Sequence, residues 1–138
     1  VRYRAGRIRQ MLESWDGHCR TPTELLQPFV DILGNSVDSI TRFGCPMGTL
    51  NSELGKDNLA LQELAENLFK VFEAWLCDQF AELRYAGRAQ ELAMRLMAQG
   101  QGISVIAHVH HDDGFLRREK TRLSHWLDQL ADGLDDCA

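Results

Sequence analysis

The densest group of chemically able side chains is His108-Val109-His110-His111-Asp112-Asp113. On a helix, His108 and His111 stand three apart and His108 and Asp112 four apart, so each pair can share a face. Such a pair can hold zinc once a third ligand joins it. Histidines at the C-terminal end of a helix are also explained by the negative pole of the helix dipole, and that is the reading adopted, so no metal is assigned. Cys45 stands before Pro46 at what reads as a helix start, where thiols are often reactive. A nucleophile needs a base and an orienting partner, and no histidine lies near Cys45 in the sequence. No Ser-His-Asp set, HExxH motif or phosphate-cradling glycine loop occurs, and Glu24, Glu53 and Glu63 have no evident carboxylate partner. The residues therefore point away from an enzyme, and they imply no cofactor.

The chain has 138 residues, enough for one domain with a real core, and 44% of them are hydrophobic. The longest apolar stretch, Gly102 to Val109, is interrupted by Ser104 and His108. Nothing approaches the roughly 20 apolar residues of a membrane span. The N-terminus is arginine-rich with no apolar run behind it, unlike a signal peptide. The chain begins at Val1 as if in mid-helix, which suggests a fragment of something longer. Cys19, Cys45, Cys77 and Cys137 are scattered, with no CxxC or CxH pair. That usage fits small apolar residues in a reducing compartment, so a cytoplasmic protein is expected. A net charge of −5 excludes nucleic-acid binding by bulk electrostatics. Charge is uneven, with Arg2, Arg4, Arg7 and Arg9 at one end and Asp128, Asp132, Asp135 and Asp136 at the other.

The elements that would carry these residues are helices throughout, since no segment alternates with period two. Residues 2–15 put Ile8, Met11, Leu12 and Trp15 on one face. Thr21-Pro22-Thr23-Glu24 forms a capping box with Pro at the first helical position. It opens a helix through Leu25, Leu26, Phe29, Val30, Ile32 and Leu33, which Gly34-Asn35 could end or only loosen. Pro46 and Gly55 bracket a helix of barely two turns. Residues 58–85 form the longest helix, striped by Leu61, Leu64, Leu68, Val71, Trp75 and Leu76 and widened by Phe69, Phe72, Phe80 and Leu83. So broad an apolar arc is buried on more than one side. Gly87 breaks it from a helix over 88–111, which holds Gly100 and Gly102 in its middle at up to ~1 kcal/mol each relative to alanine. Asp112-Asp113-Gly114 opens the last helix, where Leu116, Leu123, Leu127, Leu130 and Leu134 form a seam beside Trp126. The expected fold is all-α, about six helices in a single domain spanning residues 1–138.

The segment Gly44-Cys45-Pro46-Met47-Gly48-Thr49-Leu50, followed by Glu53-Leu54, resembles the short sixth helix of TetR/AcrR-family transcriptional regulators. The long aromatic helix, the glycine-containing helix and the leucine-rich last helix follow in the order of that family's C-terminal domain. The resemblance covers roughly residues 1–134. It departs at the N-terminus, because the three-helix head that carries the family's helix-turn-helix is absent from this chain. Residues 2–15 would be the helix linking head to body.

The resemblance implies an effector-binding and dimerisation domain, reaching DNA only through the missing head and touching no membrane. A small, mostly apolar effector would sit in a cavity among the helices. Phe69, Phe72, Trp75 and Leu76 could line it from one helix, with Gln99, Gly100, Gln101, Ser104 and His108 facing them. An aromatic stripe is also what ordinary core looks like. A homodimer would form through the last two helices of each subunit as a four-helix bundle, for which Ile103, Leu116, Leu123, Trp126, Leu127 and Leu130 are the candidates. The effector would shift a conformational equilibrium, moving helix 2–15 as a lever. The competing reading is a helical protein–protein interaction module with no small ligand, and a cavity between residues 60–85 and 88–111 would separate the two.

Overall fold

The computed structural model describes residues 2–16, 22–45, 48, 53 and 58–132. Within them lie six α-helices: α1 (Arg2–Asp16), α2 (Pro22–Asn35), α3 (Val37–Phe43), α4 (Leu59–Phe80), α5 (Ala89–His110) and α6 (Asp113–Asp132). No strand occurs among the described residues, and no helix there is long and apolar enough to cross a membrane.

Pro22 is the first residue of α2, the position that suits its missing N–H. The capping residue expected before it, Thr21, lies outside the described residues, as does most of the short helix expected between Pro46 and Gly55. Asn58 caps α4, its Oδ1 accepting from the backbone N–H groups of Ala60 and Leu61 at 3.1 and 3.2 Å. Asp112 does the same for α6, accepting from Phe115 N–H at 2.8 Å. Helix α3 is new relative to the sequence reading. Gly34-Asn35 does not stop the winding for long, because Ile40 N–H already donates to Ser36 C=O at 2.8 Å. Seven residues with Val37, Ile40 and Thr41 buried are too few to declare a period.

Helices α4 and α5 are joined without any non-helical residue. Ala81–Tyr85 widens into a π turn and Ala86–Arg88 tightens into a 3₁₀ turn. The chain folds back across these turns, so Gln90 Nε2 donates to Glu73 Oε1 at 3.4 Å. Gly87 has open space where a side chain would stand. The break at this point comes from the change in winding, with no steric demand for glycine.

Helix α2 packs along α6, α4 along α5, α3 over α5, and α1 against α4. The core draws Leu26 and Val30 from α2, Leu76 and Phe80 from α4, Leu92 and Leu96 from α5, and Leu116 and Leu127 from α6. Each such side chain contributes roughly 1.5–3 kcal/mol by leaving water. Trp126 packs on Phe80 with ring centroids 6.3 Å apart, and the Arg95 guanidinium lies 5.2 Å above the indole. Tyr85 Oη donates to Leu130 C=O at 2.8 Å, tying the π turn to the end of α6.

The leucine seam packs within the single chain. Ile103, Leu116, Leu123 and Leu127 are all under a tenth exposed in the single chain, and Trp126 and Leu130 pack half-buried against the same core. Heptad-like spacing is what any lengthwise helix contact requires, within a chain or between chains. Here the seam faces inward. Among the described residues, Phe43 at the end of α3 and Leu59 at the start of α4 are exposed singly, and α5 exposes a group, with Met94, Val105, Ile106 and Val109 55%, 55%, 45% and 62% exposed.

Candidate ligand-binding cavity

Gly44 ends α3 with φ at 75°, in the region where a Cβ is strained, and its N–H donates to Ile40 C=O at 2.8 Å. The turn brings Cys45 to α5, where Gln101 Nε2 donates to Cys45 Sγ at 3.3 Å. Gly48 also reaches α5, and a side chain there would run into Gln101 Oε1. Two glycines thus let Cys45 and Gly48 meet α5, Gly44 by its backbone angle and Gly48 by its size.

Beside this contact lies a cavity of about 720 Å³, partly open to solvent. That volume is within the usual range for small-molecule sites. Helix α1 supplies Ile8 and Met11, α2 supplies Pro28 through Leu33 and Asn35, and α3 supplies Ser39 and Ile40 after Ser36. Cys45, Phe72 of α4, four residues of α5 (Met97, Gly100, Gln101 and Ser104) and Leu123 of α6 complete it. Phe29 and Phe72 meet edge to face in the wall at 5.6 Å. A Cβ built on Gly100 would meet nothing within 4 Å. Ser104 is buried and its hydroxyl donates to Gly100 C=O at 2.8 Å. Its oxygen lone pairs remain, so toward a ligand it is an acceptor.

Of the residues expected from the sequence, Phe72, Gly100, Gln101 and Ser104 stand together on this wall. Trp75 and Leu76 are in the core, and Phe69 is half-buried on α4 away from the wall. Gln99 is half-buried with its Oε1 enclosed and without a partner among the described residues. His108 is held by α3, its Nδ1 lying 3.1 Å from Thr41 C=O, which can only accept. The sequence reading left out Ile8, Met11, Phe29, Asp31, Ile40 and Met97. Ile8 and Met11 carried a signal, because their three-residue spacing marked an inward face of α1.

Among the described residues Asp31 is the one charged side chain on the wall. Its Oδ1 takes Lys120 Nζ of α6 at 3.2 Å and Gln27 Nε2 at 3.0 Å. Gln27 Nε2 also reaches Ser124 Oγ at 3.0 Å, so α2 and α6 are stitched at two points.

The histidine cluster ends α5 as a cap. His111 adopts the left-handed conformation at φ 49°, and its N–H and that of Asp112 return to the carbonyls of His108 and Ala107. The rings of His108 and His111 stand 6.0 Å apart. Among the described residues no group of three His, Cys, Asp or Glu side chains could hold a metal ion. Away from the cavity, burial and then the charges of Glu73 and Asp78 push the Cys77 thiol above its ordinary range. The exposed Arg88 holds Glu91 below its own through a hydrogen bond at 3.0 Å.

Residues 22–122 match the family model described as the C-terminal domain of LmrA/YxaF-like transcriptional regulators. No curated protein matches the chain.

Proposed function

The chain belongs to the family of LmrA/YxaF-like TetR regulator C-terminal domains, and from that premise we propose that its cavity binds a small, mostly apolar effector. Regulators of this family are dimeric and bind DNA and small-molecule effectors. The observation that supports the reading is the reach of the cavity, whose wall includes residues of all six helices, Ile8 and Met11 of α1 among them. An occupant would touch the helix that the resemblance makes the link to a DNA-reading head. Occupancy that favours one placement of α1 over another would shift the balance by the difference in affinity for the two placements. Phe72, Gly100, Gln101 and Ser104 are the proposed ligand contacts, with Met97, Phe29 and Ile40 beside them.

The outer face of α5 is the proposed meeting surface for a second copy. Met94, Ala98, Gly102, Val105 and Val109 follow one another at steps of four, four, three and four, and all five are exposed. Small residues at Ala98 and Gly102 would let two helices approach closely between the larger ones. In this reading the seam of α6 supports the interface from behind.

Nile red, a neutral apolar fluorophore, tests the cavity. It should bind the chain with enhanced emission, and Gly100→Leu, which fills the void beside Ser104, should expel it. Equal binding by both proteins would refute the effector reading and leave an interaction module as the function.

A further inference from the structure

We propose that this cavity takes a cationic aromatic amphiphile, with Asp31 as its counter-charge and Lys120 as the resident cation the ligand displaces; this rests on the effector reading above. The sign of the site follows from its wall. Among the described lining residues there is no Lys, Arg or His, and Asp31 is the only carboxylate. Among the described lining residues an anionic ligand would find no opposite charge and would meet a like one, since the neighbouring Lys120 is already paired with Asp31. Neutral ligands are tolerated, and cations are favoured.

The carboxylate is half-used. Lys120 and Gln27 both approach Oδ1, and Oδ2 has no partner among the described residues. The side chains of Lys120 and Asp31 are 31% and 38% exposed, so this ion pair is weak enough to be exchanged. Lys120 reaches Asp31 by lying over Gly34, where a Cβ would come within 2.9 Å of its Cδ and Nζ. Gly34 therefore keeps a track open for a side chain that can swing out. On the far side of Asp31 a second recess of about 360 Å³ is bordered by Glu24, seven residues earlier on α2. The Phe29–Phe72 pair nearby offers ring faces that attract cations. A bound cation would release Lys120 and one of the two ties between α2 and α6.

The test uses ethidium as the cation and Nile red as its neutral counterpart, titrated by fluorescence into the chain and its variants. Asp31→Asn keeps the side-chain shape and should weaken ethidium about five-fold, the size of a partly exposed ion pair, with Nile red unchanged. Lys120→Met keeps the stem over Gly34 and should tighten ethidium. Failure of ethidium to bind, or equal ethidium affinity in wild type and both variants, overturns the proposal. If Gly100→Leu still expels Nile red in that case, the effector cavity stands with a different ligand class. If Gly100→Leu expels neither dye, the effector reading fails as well. Should Asp31→Asn lose both dyes and melt early, Lys120→Met decides, since an unchanged ethidium affinity there overturns the counter-charge.

Discussion

Two glycines two residues apart on α5 make opposite predictions from the same substitution. Gly100 lines the cavity and Gly102 faces outward beside Val105 and Val109. A Cβ added at either meets nothing within 4 Å, so alanine introduces no clash within the single chain. Both positions are interior to a 22-residue helix, where alanine is favoured over glycine by about 0.8–1 kcal/mol. At an unfolding entropy of about 2.1 cal/mol/K per residue, that raises the melting temperature of a chain this size by about 3 °C. Circular dichroism melts at low micromolar concentration should show the gain for Gly100→Ala. For Gly102→Ala the monomer gains equally, but the added methyl stands in the proposed contact between copies. Its melting temperature should therefore lose concentration dependence, and its sedimentation should shift toward monomer. Nile red should bind Gly102→Ala as wild type and Gly100→Ala more weakly. A fall in melting temperature for Gly100→Ala would mean that other atoms occupy the space beside it, and the cavity reasoning would be refuted.

Val105→Glu places a charge on a side chain 55% exposed in the monomer, so it should leave the helical content intact and convert a dimer to monomers in sedimentation; unchanged sedimentation would remove α5 as the meeting surface. Tyr85→Phe deletes the hydroxyl that donates to Leu130 C=O and should destabilise the chain by about 1 kcal/mol, read as a melt lowered by about 3 °C with dye binding unaffected. The raised Cys77 thiol pKa means less thiolate than a free cysteine at any pH below it. Site-resolved iodoacetamide labelling at pH 8 should then be slower at Cys77 than for glutathione and should accelerate more steeply as pH rises. Labelling at the glutathione rate would contradict the raised thiol pKa.

The helices were legible because their periods were long and capped. Asp112 was read as the start of the last helix and proves to be its cap. Pro22 was read as a first helical residue and is one. α3 was not legible as a helix of its own, since its buried residues are too few to make a stripe and Gly34-Asn35 could as well end α2 as loosen it. The leucine seam was legible as a contact surface, and the structure packs its described residues within the chain; spacing fixes which residues share a face and says nothing of what that face meets. The cavity suffered the same limit. Phe72, Gly100, Gln101 and Ser104 were within reach, being on two long helices known to face each other. Phe29, Ile40 and Asp31 come from α2 and α3, which are distant in the chain and approach only through the fold. Trp75 and Leu76 share the aromatic stripe with Phe72 yet stand in the core, and no one-dimensional pattern separates the two fates.

The unbroken winding from Leu59 to His110 has a bearing on how this chain can vary. Exposed connections between helices ordinarily accept insertions and deletions. The turn at 81–88 is mostly exposed, yet it has no slack residue, and one residue is about 100° of rotation around a helix axis. Adding or removing a residue there would turn α5 about its own axis, carrying Gly100 and Ser104 off the cavity and swinging the Met94–Val109 face away from where a partner helix would lie. Substitutions in this segment should be cheap and length changes expensive. The widened and tightened turns act as a phase setting between α4 and α5, deciding which residues of α5 meet the cavity and which meet solvent.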